Sequence, residues 1–155
     1  MKYQAGEYEA THSSPVWRDR SNFVFAAHIG TKDGKSEWEQ LWGQKVAAQR
    51  FVLCCIPFFV QDVALGDEVE TDGDFVLQRV VRQSGQVTFR VWFGDQDATT
   101  RQNLVHEIEA IKPLMEWSSE NLLALSVPEA EAQPLADHLQ LRESEGLLQY
   151  ETGRS

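Results

Sequence analysis

The sequence predicts an α+β fold, in which an N-terminal antiparallel β-hairpin sheet or half-barrel packs with a C-terminal ferredoxin-like βαββαβ lobe. Two patterns point there. Residues 22–82 are short apolar runs cut by turn dipeptides such as Asp33-Gly34 and Asp72-Gly73, which supply positive φ at little cost. Residues 87–151 switch twice from a two-residue period to a helical one and back, the split βαβ order. The join at 83–86 is too short to be a flexible linker. Residues 1–155 therefore read as one compact domain with lobes 22–82 and 87–151. A loosely ordered segment, 1–21, precedes them; it mixes Gly6, Ser13, Ser14 and Pro15 with charges and shows no period.

Each element has its own signal. A strand is expected over 23–29, and 37–42 alternates with Trp38, Gln40 and Trp42 on one face. Residues 43–49 make a reversal. The run 50–56 is continuously apolar, as in a strand covered on both faces, and Pro57 ends it because proline cannot donate to the ladder. A turn and short strand follow over 63–69. The strand 75–82 then places Phe75, Leu77, Arg79 and Val81 on one face. Over 87–93, Val87, Phe89, Val91 and Phe93 point one way and Thr88, Arg90 and Trp92 the other, the pattern of a half-buried antiparallel strand. Asp97 or Thr99 can cap a helix over 98–112 whose apolar face is Leu104, Ile108 and Ile111, and Pro113 stops it. Residues 114–117 and 122–127 form a hairpin. Pro134 suits the first turn of a helix over 133–145, and Gly146 suits the position just past its end. A last strand spans 147–151. The expected core is Phe51, Leu53, Ile56, Phe89, Val91, Leu104, Ile108, Leu125 and Leu139.

Composition narrows the classes. With 42% hydrophobic residues the chain has the apolar content that disordered chains lack. No apolar run approaches the ~18 residues of a transmembrane helix, so no membrane partner is expected. No apolar stretch of the secretion-signal kind follows Met1. The formal charge of −10 argues against nucleic acid, which needs a basic face for phosphates. Cys54 and Cys55 are adjacent, a spacing that strains any bridge between them, and lie in apolar company. They read as free, buried thiols of a reducing, cytoplasmic compartment.

The charge is uneven. Residues 1–61 carry 7 basic and 6 acidic residues, whereas residues 62–155 carry 7 and 18. The densest stretch holds Asp62, Asp67, Glu68, Glu70, Asp72 and Asp74 without a Lys or Arg. It reads either as a solvated rim that keeps the protein soluble or as a docking face for a basic partner.

Catalytic signals are missing from the sequence. His12, His28, His106 and His138 form no H-x-H or H-E-x-x-H spacing, so neither a metal nor another cofactor is expected. There is no G-x-S-x-G elbow and no glycine-rich phosphate loop. A thiol in apolar surroundings is a poor nucleophile. The carboxylates of the acidic stretch fall in expected turns that water reaches, whereas a general acid needs a desolvated carboxyl. The chain is thus expected not to be an enzyme. Trp92, sharing its face with Arg90, is the aromatic expected at the surface, and an exposed Trp beside Arg suits a protein partner.

Ile56-Pro57-Phe58-Phe59, Ala64-Leu65-Gly66-Asp67-Glu68-Val69, Arg79-Val-Val-Arg-Gln-Ser-Gly85, Leu123-Ala-Leu-Ser-Val-Pro128 and the terminal Glu145-Gly146-Leu147 with Tyr150-Glu151 follow an order that resembles a bacterial family known as domain of unknown function 4265. The resemblance spans about residues 36–152 and implies no catalytic residues. Small acidic proteins of this kind resemble immunity proteins, which neutralise toxin domains. The expected function is therefore an acidic protein-binding inhibitor, most concretely an immunity protein that blocks the basic cleft of a secreted toxin. Asp67, Glu68, Glu70, Asp72, Asp74, Arg90 and Trp92 are the expected contact residues. The alternative is a sensor or regulatory domain that binds a small ligand through its ferredoxin-like lobe.

Overall fold

The computed structural model describes residues 7–154. It is an α+β chain of two sheets and two helices. The strands are β1 (Tyr8–Ala10), β2 (Phe23–Lys32), β3 (Lys35–Ala47), β4 (Arg50–Leu53), β5 (Glu68–Thr71), β6 (Leu77–Arg82), β7 (Gln86–Trp92), β8 (Leu114–Trp117), β9 (Leu122–Pro128) and β10 (Gln149–Thr152). Helix α1 is Ala98–Glu109, between β7 and β8, and α2 is Ala132–Ser144, between β9 and β10. Among the described residues, no helix is long and apolar enough to cross a membrane.

The first sheet joins β1 to β6. Strand β3 is its long spine, pairing antiparallel with β2 and with β4, and parallel with β1. β5 and β6 continue antiparallel from β4, and the sheet curls until a bridge between Ala26 and Val76 brings its far end back to β2. Inside the curl lie Phe25, Leu41, Phe51, Leu53 and Val69, none more than 1% exposed, with Phe23, Phe75, Leu77 and Val80 against them. Gly43 sits under the inward aromatics: a Cβ there would stand 2.8 Å from the Phe25 ring and 3.1 Å from Phe51 Cβ, so only glycine fits.

The second sheet has the order β10-β7-β9-β8, with every pair antiparallel. Both helices lay their apolar stripe on one face. Leu104, Ile108, Leu135 and Leu139 pack with Phe89, Val91, Phe93, Leu123 and Leu125. Asp97 caps α1 by accepting the Thr100 N–H at 2.7 Å, and Gly146, at φ +75°, follows the end of α2. Every residue of the expected core is buried.

Several local expectations need correction. Segment 1–21 is not loose where it is described: it supplies β1, the buried His12 and a 3-10 turn at Arg18–Arg20, while residues 1–6 lie outside the described residues. β3 runs to Ala47, so the reversal is confined to the residues just before Arg50. β4 stops at Leu53, and Cys54 and Cys55 belong to the bend rather than to a strand. Register shifts between β5 and β6 break the alternation over 75–82, so Val80 rather than Val81 packs inward. β7 is covered on both faces, with Thr88 4% and Arg90 2% exposed, because the chain from Ile56 to Leu65 lies against its second face. A third apolar cluster, Ile56, Phe58, Leu65 and Ala124 with Val16 and Trp17, fills that space between the sheets.

Candidate functional site

The acidic stretch does not form one open face. Asp67 is buried, and its carboxylate accepts the N–H groups of Ala64 (2.9 Å) and Ser84 (2.8 Å), pinning the turn before β5 to the turn before β7. Glu68 and Glu70 face arginines across the sheet. Arg82 reaches Glu68 at 2.8 Å, Arg79 reaches Glu70 at 3.2 Å, and Arg50 stands between the two. The Arg79 hydrogen bond leads in holding the Glu70 carboxyl below its ordinary range. Asp72 accepts from the N–H groups of Asp74 and Val76, shaping its own turn, and Asp74 is exposed. Arg90 is buried: it donates to the carbonyls of Pro57 and Val60 and reaches Glu151 at 3.3 Å. Of the expected contact residues, Trp92 is the large exposed one, at 46%.

The most unusual chemistry lies inside, at residues that sequence spacing did not connect. His12 sits between two carboxylates: Nδ1 is 2.8 Å from Glu116 Oε1 and Nε2 is 2.8 Å from Glu39 Oε2. Glu39 comes from β3 and Glu116 from β8, so the imidazole bridges the two sheets. Each carboxylate is also fed by backbone donors. Phe58, Phe59 and Val60 donate to Glu39 at 2.7–2.9 Å, and Ile56 and Val16 donate to Glu116 at 2.6 and 3.3 Å. The Phe58 ring stacks on the imidazole at 4.0 Å. The three charged residues are at most 3% exposed.

Electrostatics follow from that arrangement. Burial by itself disfavours a charged imidazole, but the Cys55 sulfur and the Glu116 and Glu39 carboxylates outweigh it and raise the His12 pKa to about 12. Burial pushes the Cys55 thiol up as well, so it is neutral at pH 7 and the carboxylates are what hold the ring's second proton. For Glu39, burial alone would raise the pKa; the His12 bond and charge and the N–H groups of Phe58 and Val60 bring it below the ordinary value. The result is an imidazolium between carboxylates, closed to solutes. A general base must come within hydrogen-bond reach of its substrate. This cluster instead clamps the N-terminal segment, the 56–60 bend and both sheets together.

At the surface, Trp92 ends β7 beside a groove of about 610 Å3 whose walls include Asp95, Gln96, Glu143 and Tyr150. On its other side Leu122 and Glu151 line a smaller depression. Here an aromatic side chain and exposed or half-buried carboxylates share one end of the second sheet. The geometry is that of a domain with a locked ionic interior and an aromatic-acidic surface.

The chain belongs to the family described as Domain of unknown function (DUF4265), whose model matches residues 39–150. Glu39 and Glu116 lie within the matched span and His12 lies before it. No curated protein matches the chain. A solved structure described as "Novel crystal structure of a hypothetical protein from Neisseria gonorrhoeae" is similar to it, with 21% sequence identity, a TM-score of 0.71, and coverage of 84% of this chain and 93% of that one. That likeness establishes a shared fold.

Proposed function

We propose that this is a protein-binding inhibitor, most concretely an immunity protein that neutralises a secreted bacterial toxin domain in the cytoplasm by covering its basic cleft. The observation that carries this reading is the surface around Trp92, an exposed indole flanked by Asp95, Glu143 and Glu151. Large aromatics with a polar rim are the usual anchors of protein interfaces. The uncompensated acid supports a basic partner, because opposite potentials speed encounter. That acid is on the second lobe rather than in the 62–74 stretch: Asp95, Glu109, Glu120, Glu129 and Glu131 are exposed there. The free, buried Cys54 and Cys55 fit a reducing compartment.

The architecture is compatible with that role. We read the second lobe as ferredoxin-like, because both helices pack on one face of the β10-β7-β9-β8 sheet, and the first as a half-barrel, because its edge returns to β2. The ionic clamp and the third apolar cluster support treating the two as one rigid unit, which limits the entropy lost on docking.

The test is protection. The open reading frame immediately upstream of this gene, which the reading expects to encode a toxin, is expressed in a bacterial host with and without the chain. Rescue of growth by the chain, lost for Trp92→Ala with the fold intact, is the expected result. A host that dies equally in both cases contradicts the inhibitor reading, and full rescue by Trp92→Ala contradicts the surface.

A further inference from the structure

The two outer strands of the second sheet are finished differently. In the order β10-β7-β9-β8, β10 and β8 each have a neighbour on one side only. Along β10 the outward Tyr150 N–H donates to the Glu143 carboxylate at 2.9 Å, so a side chain of α2 caps that edge. β8 has no such cap. Ser118 N–H donates to the Leu122 carbonyl at 3.0 Å, and the register runs Trp117 to Leu123, Glu116 to Ala124 and Met115 to Leu125. In an antiparallel pair, residues that turn their backbone groups toward the partner alternate with residues that turn them away. Leu114, Glu116 and Ser118 therefore face β9, and Met115 and Trp117 point their N–H and C=O groups outward. Among the described residues no hydrogen bond takes those outward groups up.

An unpaired edge of this kind is a template for another strand. The side chains at the β8 edge suit one. Leu114 is 40% and Trp117 39% exposed, and the strand's charge, Glu116, is turned inside to His12.

We propose that β8 is a dimer edge, along which two copies of the chain pair antiparallel about a two-fold axis through Met115 and join their four-stranded sheets into one. The register follows from the strand itself. Met115 faces Met115 of the second copy, and the two exchange N–H to C=O bonds in both directions. Trp117 N–H reaches the carbonyl of Pro113 in the second copy, and the indole lies beside that proline ring. On the other face Leu114 stands opposite Glu116. At each end Lys112 of one copy comes beside the bend that carries Glu120 of the other; both residues are exposed and neither forms an ion pair among the described residues. A slip by one residue would turn the side chains to the wrong faces. A slip by two in one direction sets Glu116 against Glu116, and like charges directly opposite are destabilising. In the other direction it leaves Trp117 opposite Ile111, beyond the end of the strand. The edge thus complements itself in hydrogen bonds, apolar contact and charge, as an isologous contact requires, and this selects a second copy over a foreign strand. Trp92 lies toward β10, beside Gln149 and Tyr150, and is open in each copy, so the dimer stands apart from the inhibitor reading.

The test is sedimentation velocity of the full chain from micromolar to near-millimolar concentration. Passage from monomer to dimer is the expected result. Trp117→Lys should weaken the dimer by at least about tenfold, as loss of an anchoring aromatic does, with the circular dichroism of the native chain retained. Met115→Cys and Leu114→Cys read the register directly and decide the matter should Trp117→Lys misfold. Under mild oxidation Met115→Cys should form a disulfide between copies, because residues paired in this way have Cα atoms about 5.5 Å apart, within reach of the bond. Leu114→Cys, out of register with its own counterpart, should not, and the buried Cys54 and Cys55 do not compete. A chain that stays monomeric throughout, a dimer indifferent to Trp117→Lys, or equal cross-linking of the two cysteine variants overturns the proposal.

Discussion

Replacing His12 by alanine should be the most damaging single change at the junction of the two sheets. It removes the imidazolium and leaves Glu39 and Glu116 buried and facing each other without a cation. Breaking a buried ion pair from one side costs about 3–5 kcal/mol, because the uncompensated charge remains inside. The five backbone N–H donors soften that cost without cancelling it. With an m-value of about 2 kcal/mol per molar for urea, the unfolding midpoint should fall by about 2 M at pH 7. The pH dependence adds a sign test. In the wild type His12 has a folded pKa of about 12, above its ordinary 6.5, so its contribution is complete below pH 6.5 and is lost as pH rises toward 12. Glu39 is depressed, so its contribution is present above about 4.5 and is lost as pH falls below that. The cluster is thus at its strongest between about pH 4.5 and 6.5, and wild-type stability should decline above that window. In His12→Ala burial is the dominant influence left on Glu39 and favours its neutral form, so the variant's own midpoint should rise as pH is lowered from 7 to 5. A midpoint within about 0.3 M of wild type, on the same m-value scale, or a His12→Ala midpoint that falls further on acidification from pH 7 to 5, would contradict the clamp.

Other expectations are simpler. Ile108→Ala, at a site with no exposure in the helix–sheet core, should cost about 2–5 kcal/mol in urea unfolding. Burial pushes the Cys54 thiol up to about 11 and Cys55 up as well, so native labelling by a maleimide at pH 7 should be slow and should track unfolding; fast labelling of either contradicts their burial. Asp67→Ala should destabilise by about 1–3 kcal/mol, since it strands two N–H groups, whereas Glu70→Gln on the exposed Arg ladder should leave the midpoint unmoved. Equal effects of the two changes would contradict the division of the acidic stretch into buried and surface parts.

Local signals were legible in the sequence because local physics set them. Asp97, Pro134 and Gly146 mark helix ends through backbone donors and dihedrals that involve a few neighbours only. The apolar periods of α1 and β7 identify the core face without knowledge of what packs there. The facts that needed the fold concern partners far apart in sequence. His12 meets carboxylates 27 and 104 positions away, and no spacing rule links a histidine in an aperiodic segment to them. A signal existed in hindsight: Glu39 alternates with Leu41 and Gly43 on the inward face of β3, a charge where the pattern asks for an apolar residue. Thr88, Arg90 and Trp92 share a face, yet the bend at 57–60 covers Arg90, Gly153 packs on Thr88, and Trp92 is left at the rim. Asp67 looked like its acidic neighbours until the fold set the Ala64 and Ser84 N–H groups against it.

The central structural claim is that a doubly protonated His12, held between Glu39 and Glu116, locks the two sheets together and leaves recognition to the surface. Nitrogen-15 shifts of the His12 ring, followed from pH 5 to 9 in uniformly labelled protein, test it most directly. Imidazolium shifts for Nδ1 and Nε2 across the whole range with no titration are expected, as a pKa raised well above the ordinary 6.5 requires. A neutral tautomer at pH 7, or a titration step near 6.5, contradicts it.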